Sequence, residues 1–449
     1  MHITVLGGGP AGCAVGYYAK KNGLDFTIYE ADSEAGGFCR TLSRGAFFYD
    51  TGAHRFHDKI PDITDDIKEL LGNELKQIYV PSQIWTDAKF VDFPLSPFNL
   101  ARVLGVVRFC RAALEVIRAR AEKSKLEHIN FEEFARYTYG HIIAERFLIN
   151  YSEKLWGKTC ARLSPKIAGK RMEGLDLRTF VKEALFGKKA KTEHLDGMFY
   201  YPVYGYGSIV KSMISYFGRE NIRTNCEITA LFSEGRRITA VEINHREVLD
   251  VDEIVTTLPL HVFLGMLHPA PPRELFELVN KICHRDLILI VIFLDRASIT
   301  KNATVYFPDS DFPFTRVYEP KNRSQLMSPP EKTTLVIELP CQHGDSYWRM
   351  SDAELTQLAL SKLIDIGWFT CDQVIDSEVH RRLFAYPILE RGYENTVEEI
   401  VAYLENFENL KLSGRNGKFS YTHFHDMMAY GKEIVQGYVS SGSEGRRTD

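Results

Sequence analysis

Hydrophobic and polar positions along the first thirty residues follow the pattern of a strand, a helix and a second strand. Residues 2–6 and 25–30 are short apolar runs, and residues 10–22 between them carry apolar side chains at helical spacing. A strand–helix–strand unit of this length predicts two parallel strands joined by a covering helix.

The pattern changes after this unit. Residues 76–198 hold few strand patterns and several helical ones. Segment 98–123 predicts an amphipathic helix with arginines on its solvated face, and its apolar face is assigned to Leu100, Val103, Leu104, Val107, Leu114 and Ile117. A helix lying on a membrane surface is the alternative for that segment. Strand patterns return as a hairpin at 227–244 and a buried strand at 287–294, and a helix follows at 352–365.

The order of these patterns predicts an α/β fold with a discontinuous Rossmann-type domain and an inserted α+β substrate domain. The nucleotide-binding parts are 1–75, 199–262 and 384–439, the last with a strand, a glycine turn and a helix at 424–437. The inserted parts are 76–198, mainly helical, and 263–383, with strands and a helix. The polar tail 440–449 is predicted to be disordered.

Composition narrows the functional classes. The chain has 449 residues, 45% hydrophobic and 25% charged, and a net charge of -4, which argues against a general affinity for nucleic acid. Its eight cysteines are scattered singly, without a Cys-x-x-Cys pair or a zinc-type Cys/His cluster, so no metal site is predicted. Reduced thiols, no room for a signal peptide and no long apolar run predict a cytoplasmic protein without a transmembrane segment.

A dinucleotide cradle lies at the first turn. Gly7, Gly9 and Gly12 form G-x-G-x-x-G directly after a predicted strand, and Pro10 and Ala11 open the helix that follows. The glycines permit a tight turn, close approach of a pyrophosphate and close helix–strand packing, and the helix N-terminus offers N–H groups to phosphate.

The residues that follow favour FAD over NAD. Glu30 ends the second strand and can accept hydrogen bonds from ribose hydroxyls, with Ala31 beside it. The pair Gly36-Gly37 and then Arg40 are typical of FAD enzymes of the amine oxidase type. A second FAD contact is predicted near the C-terminus, where a strand ends at the segment that contains Gly414 and Arg415.

Six further motifs carry a resemblance to a known group. They are "FYDTGAHRFHDK" (48–59), "YSEKLWGKTCARLSPKIAGKRMEGLDL" (151–177), "FYYPVYGYGSIVKSM" (199–213), "FTRVYEP" (314–320), "FAYPILERGY" (384–393) and "GRNGKFSY" (414–421). Over roughly 1–437 the chain resembles the FAD-dependent amine oxidase and protoporphyrinogen oxidase superfamily. Within that superfamily it is most similar to UDP-galactopyranose mutases and related flavoproteins.

The resemblance implies roles for particular residues. The mutase family grips a sugar nucleotide by its diphosphate, and the matching positions here are Arg171, Arg316, Tyr386, Tyr421 and the aromatic Trp156. Guanidinium groups suit this task because they form bidentate, charge-assisted bonds to phosphate oxygens.

The loop of the first motif matches the flavin-facing loop of the family. His54 corresponds to a histidine that influences the flavin N5 region, and Gly52 belongs to the same loop. The resemblance implies that His54, Arg171 and Arg316 are catalytic and that Gly52 and His54 also bind the cofactor. His57 is either structural or catalytic. Gly52-Ala53 replaces the usual glycine pair, and "THFHDMM" (422–428) departs from the family pattern, so the sugar and the base are not predicted.

Two reactions agree with these residues. In a mutase, the N5 of reduced FAD attacks the anomeric carbon of the sugar, the nucleotide diphosphate leaves, and no net redox change occurs. In a net oxidoreductase, a sugar, an amine or another small molecule gives a hydride to N5. NAD(P)H or another reductant is a possible partner for the mutase, and a flavoprotein fold used only for binding is the third alternative.

Overall fold

A computed structural model describes residues 1–93, 95, 97–121, 130–168 and 197–444. Its strands are β1 (His2–Leu6), β2 (Asp25–Tyr29), β3 (Thr41–Arg44), β4 (Phe47–Asp50), β5 (Leu75–Tyr79), β6 (Ser82–Thr86), β7 (Lys89–Phe93), β8 (Met198–Pro202), β9 (Ile222–Arg223), β10 (Ile228–Glu234), β11 (Arg237–Ile243), β12 (Glu247–Asp250), β13 (Glu253–Thr256), β14 (Leu267–His268), β15 (Cys283–Leu294), β16 (Thr304–Tyr306), β17 (Arg316–Tyr318), β18 (Thr333–Cys341), β19 (Val374–Ile388) and β20 (Leu410–Leu412).

Its α-helices are α1 (Pro10–Lys21), α2 (Pro61–Leu71), α3 (Pro97–Leu104), α4 (Val106–Ala121), α5 (Phe131–Ile143), α6 (Asn150–Trp156), α7 (Ser208–Phe217), α8 (Leu260–Gly265), α9 (Arg273–Val279), α10 (Ser346–Arg349), α11 (Asp352–Asp365), α12 (Tyr393–Leu404), α13 (Gly414–Gly417) and α14 (Phe424–Glu444). A π-helical stretch, Ala144–Ile149, joins α5 to α6.

Five strands from separate stretches of the chain form one parallel sheet. Their order is β20-β13-β1-β2-β9, and β1 pairs in parallel with both β2 and β13. Helix α1 packs closely against α7 at Gly16. A Cβ atom at this glycine would lie only 3.3 Å from the ring of Phe217 on α7. This arrangement confirms the predicted discontinuous Rossmann-type fold, whereas the exact domain boundaries stay predictions.

A second, mixed sheet of seven strands belongs to the inserted part. Its order is β19-β15-β18-β17-β16-β6-β7, and β15 pairs antiparallel with β18 and β19. The buried strand predicted at 287–294 is confirmed within β15, whose residues from Leu287 onward are all buried. An apolar run without alternation is expected for a strand that is covered on both faces.

The end of β4 and the loop after it contact the seven-stranded sheet. The Tyr318 hydroxyl donates to the carbonyl oxygen of Asp50 at 2.6 Å, and the N–H of Ala53 donates to Glu338 at 2.9 Å. Because Tyr318 lies on β17 and Glu338 on β18, these bonds attach the first domain to the seven-stranded sheet. A site between the two sheets is thereby built from both.

The start of the stretch predicted as mainly helical is different in the structure. Strands β5, β6 and β7 occupy 75–93, and β6 and β7 form a hairpin in the seven-stranded sheet. The hairpin turns at Asp87 and Ala88, whose φ angles are 49° and 55°. A two-residue turn of this hand usually contains glycine or asparagine, so its sequence gave no turn pattern.

The predicted amphipathic helix 98–123 is two helices, α3 and α4, separated at Gly105, whose φ is 75°. The break shifts the helical phase, so Leu100 and Leu104 are buried as expected, whereas Val107 and Leu114 are 84% and 54% exposed. The assignment of those two residues to the apolar core face is therefore wrong.

The tail prediction is wrong over 440–444, because α14 continues to Glu444. The hydroxyls of Ser440 and Ser441 donate to carbonyl oxygens four residues earlier, at 3.0 and 2.9 Å. These bonds follow the helical repeat and satisfy both hydroxyls within the helix. Within the described residues, no helix combines the length and apolar character needed to cross a lipid bilayer.

Candidate active site

The glycine turn between β1 and α1 leaves an open space at the N-terminus of the helix. A Cβ atom at Gly12 would lie 2.0 Å from the carbonyl oxygen of Gly7, so only glycine permits this packing of helix on strand. A Cβ atom at Gly9 would meet no protein atom within 4 Å. Gly9 caps α1 without a side-chain hydrogen bond, and Pro10 begins the helix. Free space at an uncapped helix N-terminus suits a phosphate group.

Glu30 and the glycine pair border the same space. Glu30 accepts a hydrogen bond from the N–H of Gly8 at 2.8 Å, and Gly36 donates to the carbonyl of Gly8 at 2.9 Å. Burial raises the pKa of Glu30, and backbone donors oppose that rise. A Cβ atom at Gly37 would lie 3.3 Å from the backbone of the glycine turn, so this loop packs on the turn. Ala31 follows Glu30 along the same edge.

Two arginines beside the glycine pair have unused hydrogen-bonding capacity. Arg40 donates to the carboxylate of Asp32 at 3.1 Å and to the carbonyl of Glu34 at 3.0 Å. Arg382, from β19, lies 3.8 Å from the same carboxylate. Within the described part of the chain, the buried Nε of Arg40 and the buried Nε and Nη2 of Arg382 have no partner. Burial and the nearby Arg40 lower the pKa of Arg382.

A second group of unpaired polar atoms surrounds the turn after β20. A Cβ atom at Gly414 would lie 2.9 Å from the Cβ of Ala11, so this turn packs on the first turn of α1. Buried side-chain oxygens that lack a partner among the described residues belong to Ser413, Asn416, Ser420 and Thr422. Arg415 is instead engaged, because it donates to the carbonyls of Ala385 and Thr422 at 3.0 and 2.8 Å.

These observations fit an extended dinucleotide. The open space beside Gly9 and the unpaired guanidinium donors of Arg40 and Arg382 suit a pyrophosphate. The unpaired side-chain oxygens near β20 suit polar groups further along the same dinucleotide. Buried donors and acceptors without partners are costly, so a ligand that pairs with them is bound with a gain in free energy.

His54 lies on the loop between β4 and α2, whose Ala53 bonds to Glu338 of the seven-stranded sheet. A Cβ atom at Gly52 would lie 2.9 Å from the His54 Nε2, so the loop needs glycine there. The imidazole is 2.6 Å from the carbonyl oxygen of Phe38 and stacks on Tyr206 at 4.9 Å between ring centroids. Burial lowers the pKa of His54 to about 3. The ring is therefore neutral at pH 7, with Nε2 as the donor and Nδ1 left as an acceptor.

Arg316 is held by a buried carboxylate. Its Nε donates to Glu338 at 2.5 Å and its Nη2 donates to the Tyr386 hydroxyl at 2.9 Å. Glu338 is 1% exposed and also accepts the Ala53 N–H, so one carboxylate joins Arg316 to the histidine loop. No group among the described residues accepts a hydrogen bond from Arg316 Nη1, which leaves one edge of the guanidinium for a ligand.

The hydroxyl partner of Arg316, Tyr386, belongs to a cluster of three aromatic rings. Trp156 lies 6.1 Å from Tyr386 and 5.6 Å from Tyr421 between ring centroids, and the two tyrosine rings are 6.0 Å apart. The Arg415 guanidinium lies over both tyrosine rings, at 5.5 and 5.4 Å. The structure thus brings together four predicted substrate residues, namely Trp156, Arg316, Tyr386 and Tyr421.

The roles of two further predicted residues stay open. Arg171 lies outside the described residues, so its role stays a prediction. The His57 ring lies 6.2 Å from the Phe199 ring, and its role also stays open.

Two site residues were missed in the sequence. Glu338 is the lone charge in the buried strand β18, and a carboxylate inside an apolar run is itself an indication of a paired or functional group. Arg382 gave no comparable indication, because it lies 342 positions after Arg40 (382 minus 40) and only the sheet pairing of β19 brings the two arginines together.

Residues 10–381 match the family of flavin containing amine oxidoreductases, and the chain belongs to that family. It is an FAD-dependent flavoenzyme, which confirms the predicted cofactor and superfamily. A curated relative, protoporphyrinogen oxidase 2 of Arabidopsis thaliana, is 26% identical over 136 residues. That match covers 29% of this chain and 27% of the relative's length.

Solved structures support the same fold over nearly the whole chain. A reduced UDP-galactopyranose mutase superposes with a TM-score of 0.84 at 19% identity and covers 98% of this chain and 95% of its own. A protein from Exiguobacterium sp. assigned as a protoporphyrinogen oxidase gives a TM-score of 0.73 at 18% identity, covering 97% and 98%. At these identities the likeness shows the fold, and the substrate has to be argued from the site.

Proposed function

We infer that this flavoenzyme binds a nucleotide-diphosphate-linked sugar and changes its ring form, as a UDP-galactopyranose mutase-like isomerase. The observation that carries the proposal is the half-buried Arg316, which keeps one guanidinium edge unpaired while Glu338 and Tyr386 fix its orientation. A fixed guanidinium suits a diphosphate because it forms two parallel charge-assisted hydrogen bonds.

Reduced FAD, when bound, would supply a nucleophilic N5 to the anomeric carbon of the sugar. The chain's own contribution is to the leaving group. Arg316 and the hydroxyls of Tyr386 and Tyr421 would stabilise the diphosphate, on which negative charge grows as its bond to the sugar breaks. Because Arg316 is already ordered by the protein, little reorganisation is needed when that charge forms.

His54 is assigned a positioning role at the flavin side of the pocket. Its neutral ring is fixed by the Phe38 carbonyl and by stacking on Tyr206, so Nδ1 is presented as an acceptor in one orientation. A ring that is not protonated near pH 7 is suited to holding a hydrogen bond from a neutral donor. Its predicted catalytic role stays a prediction.

A net oxidation by hydride transfer is the second candidate. The three rings of Trp156, Tyr386 and Tyr421 would also surround an apolar or amine substrate, and the family name describes amine oxidoreduction. Only the Arg316 edge distinguishes the two candidates, because an apolar cage has no need of a guanidinium. NAD(P)H or another reductant, and a cytoplasmic location, stay predictions with either reaction.

The test measures binding of UDP and of UDP-, GDP- and dTDP-linked sugars to the FAD-loaded protein, oxidised and reduced with dithionite. We expect at least one sugar nucleotide to bind the reduced protein. Arg316→Lys keeps a positive charge beside Glu338 but removes the planar guanidinium that forms two parallel hydrogen bonds to phosphate. It should weaken that binding about 10- to 100-fold. Arg273→Lys, at a side chain 90% exposed, is the matched control and should bind as wild type.

The reaction itself is followed anaerobically by separating the sugar nucleotides. A mutase converts one ring form into the other without stoichiometric loss of NAD(P)H or oxygen. Bleaching of oxidised flavin by a substrate, with peroxide formed in air, would instead establish the oxidoreductase. If no sugar nucleotide binds and Arg316→Lys leaves turnover of another substrate unchanged, the diphosphate proposal is wrong.

A further inference from the structure

An exposed apolar corner projects from the helical part of the molecule where α3 meets α4. Val106 and Val107 follow Gly105 directly and are 73% and 84% exposed, and Leu114 two turns further along α4 is 54% exposed. Adjacent valines this open to water cost free energy in an isolated protein, and a clustered exposed apolar group is typical of an interaction surface.

The corner is surrounded by positive charge. Arg102, Arg108 and Arg111 are exposed, and the side chain of Arg111 is 77% exposed. Residues 97–121 contain five arginines and one acid, a net charge of +4 (5 minus 1), in a chain whose net charge is -4. The single acid, Glu115, accepts the Ile142 N–H and pairs with Arg111 at 3.4 Å, so it offsets the charge of that arginine. Among the described residues no acid pairs with Arg102 or Arg108, and these two side chains keep the exposed surface positive.

We propose that this corner, residues 102–114, docks the enzyme on an anionic lipid membrane surface. Apolar side chains at a protruding turn enter the headgroup region, and the flanking arginines pair with anionic headgroups. The segment does not cross the bilayer. It binds peripherally, which is the alternative that the hydrophobic pattern left open for this helix.

Charge argues against segment 169–196 of the same chain as the occupant of the corner. Segment 169–196 contains seven Lys and Arg and five Asp and Glu, a net charge of +2 (7 minus 5), so its own sign opposes packing on the basic corner. A second copy of the chain, or another protein, is an outcome that the experiment distinguishes.

The corner and the candidate active site belong to one helical unit. A Cβ atom at Gly140 of α5 would lie 3.0 Å from the Glu115 side chain and 3.3 Å from the Val116 backbone. Helix α5 continues through the π-helical stretch into α6, which carries Trp156. Docking at the corner would therefore orient the helices beside the pocket toward the membrane, independently of which substrate the pocket takes.

The experiment uses the full-length FAD-loaded protein and vesicles of phosphatidylcholine, with or without one quarter phosphatidylglycerol. We expect co-sedimentation with the anionic vesicles, little with phosphatidylcholine alone, and release by 0.5 M NaCl. Val107→Asp should abolish the binding. Arg108→Gln should weaken it on the order of fivefold, as expected for one basic residue near an anionic surface.

Val248→Asp is the matched control, because Val248 is a 56% exposed valine on β12, outside this helical unit, and its substitution should leave vesicle binding unchanged. Bound flavin and the melting temperature verify that each variant is folded. The proposal is overturned if the wild type does not co-sediment with anionic vesicles, or if Val107→Asp binds them as the wild type does. It is also overturned if sedimentation shows that the corner forms a dimer which Val107→Asp dissociates.

Discussion

Glu338 shows how one residue ties the candidate site to the fold. Its carboxylate, closed to water, accepts the N–H of Ala53 from the first domain and pairs with Arg316 from the neighbouring strand. Isolated, this charge would be strongly destabilising, and the two partners are what permit it to be buried. The same contacts set the position of the guanidinium edge that the proposed function requires.

Replacing Glu338 by Gln should therefore destabilise the protein and weaken nucleotide binding together. The variant leaves Arg316 buried without its counter-ion, so we expect a loss of about 3 kcal/mol in the free energy of unfolding, measured by urea denaturation. Glu408→Gln, at a side chain 62% exposed, should change it by less than about 0.5 kcal/mol. Equal stability of the two variants would contradict the role given to the buried pair.

Buried histidine makes stability depend on pH. Burial lowers the pKa of His284 to about 3, and His284 is 4% exposed. Between pH 6.5 and 3 the unfolded chain takes up a proton that the folded chain does not, so stability falls as the pH falls through that window. At pH 5 the loss from such a histidine is about 1–2 kcal/mol relative to pH 7.

His284→Phe should reduce this pH-dependent loss by the same amount, because phenylalanine fills the aromatic surroundings without titrating. Melting curves and urea denaturation at pH 7 and pH 5 measure the effect. Phe48→Leu changes a 40% exposed aromatic residue without altering a titratable group, and should leave the pH dependence of the wild type in place. A His284→Phe protein with an unaltered pH dependence would show that the buried ring is not the titrating group.

At the scale of the element, two glycines of the first strand–helix unit have different roles, one in folding and one in cofactor binding. Gly12 is required by the packing of α1 on β1, whereas the space at Gly9 is empty of protein atoms. The two positions therefore differ in what a side chain would disturb, although both belong to one sequence motif.

This difference predicts that replacement by valine has different effects at the two glycines. Gly9→Val should fold normally but weaken FAD binding on the order of 10- to 100-fold, because the side chain displaces phosphate from the helix N-terminus. Gly12→Val should lower the free energy of unfolding by about 2–3 kcal/mol even without FAD. Flavin absorbance titrations and denaturation of the apoproteins distinguish the two, and a stable Gly12→Val protein would contradict the packing argument.

Strand β19 illustrates the limit of local patterns at this scale. Its register against β15 shifts between Arg382 and Tyr386, where Phe384 has a φ of 58° and donates its N–H to the buried Asp286. The irregularity places one strand's side chains at two sites, Arg382 beside the cradle and Tyr386 beside Arg316. A phenylalanine with a left-handed backbone conformation cannot be predicted from the hydrophobic pattern of a strand.

At the scale of the whole molecule, the candidate FAD site joins three distant parts of the chain. The glycine turn, the Arg40–Arg382 pair and the turn after β20 belong to separate stretches of the chain. The first offers an uncapped helix N-terminus, and the other two keep buried side-chain atoms that a cofactor would pair. A ligand that holds these parts together binds the folded state and not the unfolded chain.

Removing FAD should accordingly lower the stability of the entire protein in one transition. At a free FAD concentration 100 times the dissociation constant, linkage predicts a stabilisation of about 2.7 kcal/mol. Thermal unfolding of the apoprotein with increasing FAD measures this, and the Gly9→Val variant should show a smaller shift. A melting temperature independent of FAD would contradict the proposed cradle.

The sequence by itself determined the strand–helix–strand unit, the buried β15, helix α11, the glycine cradle, the superfamily and the FAD cofactor. The secondary-structure elements and the glycine cradle depend on periodicity and spacing within short segments, where backbone geometry dictates which residue types can stand at which position. The superfamily and the cofactor came instead from the resemblance of several motifs, in order, to a known family. Tertiary structure alone decided that Arg382 lies beside Arg40, that Glu338 orients Arg316, and that Val107 faces solvent. Such placements depend on pairing between strands far apart in the chain and on one helix break at Gly105, and neither leaves a repeat in the sequence.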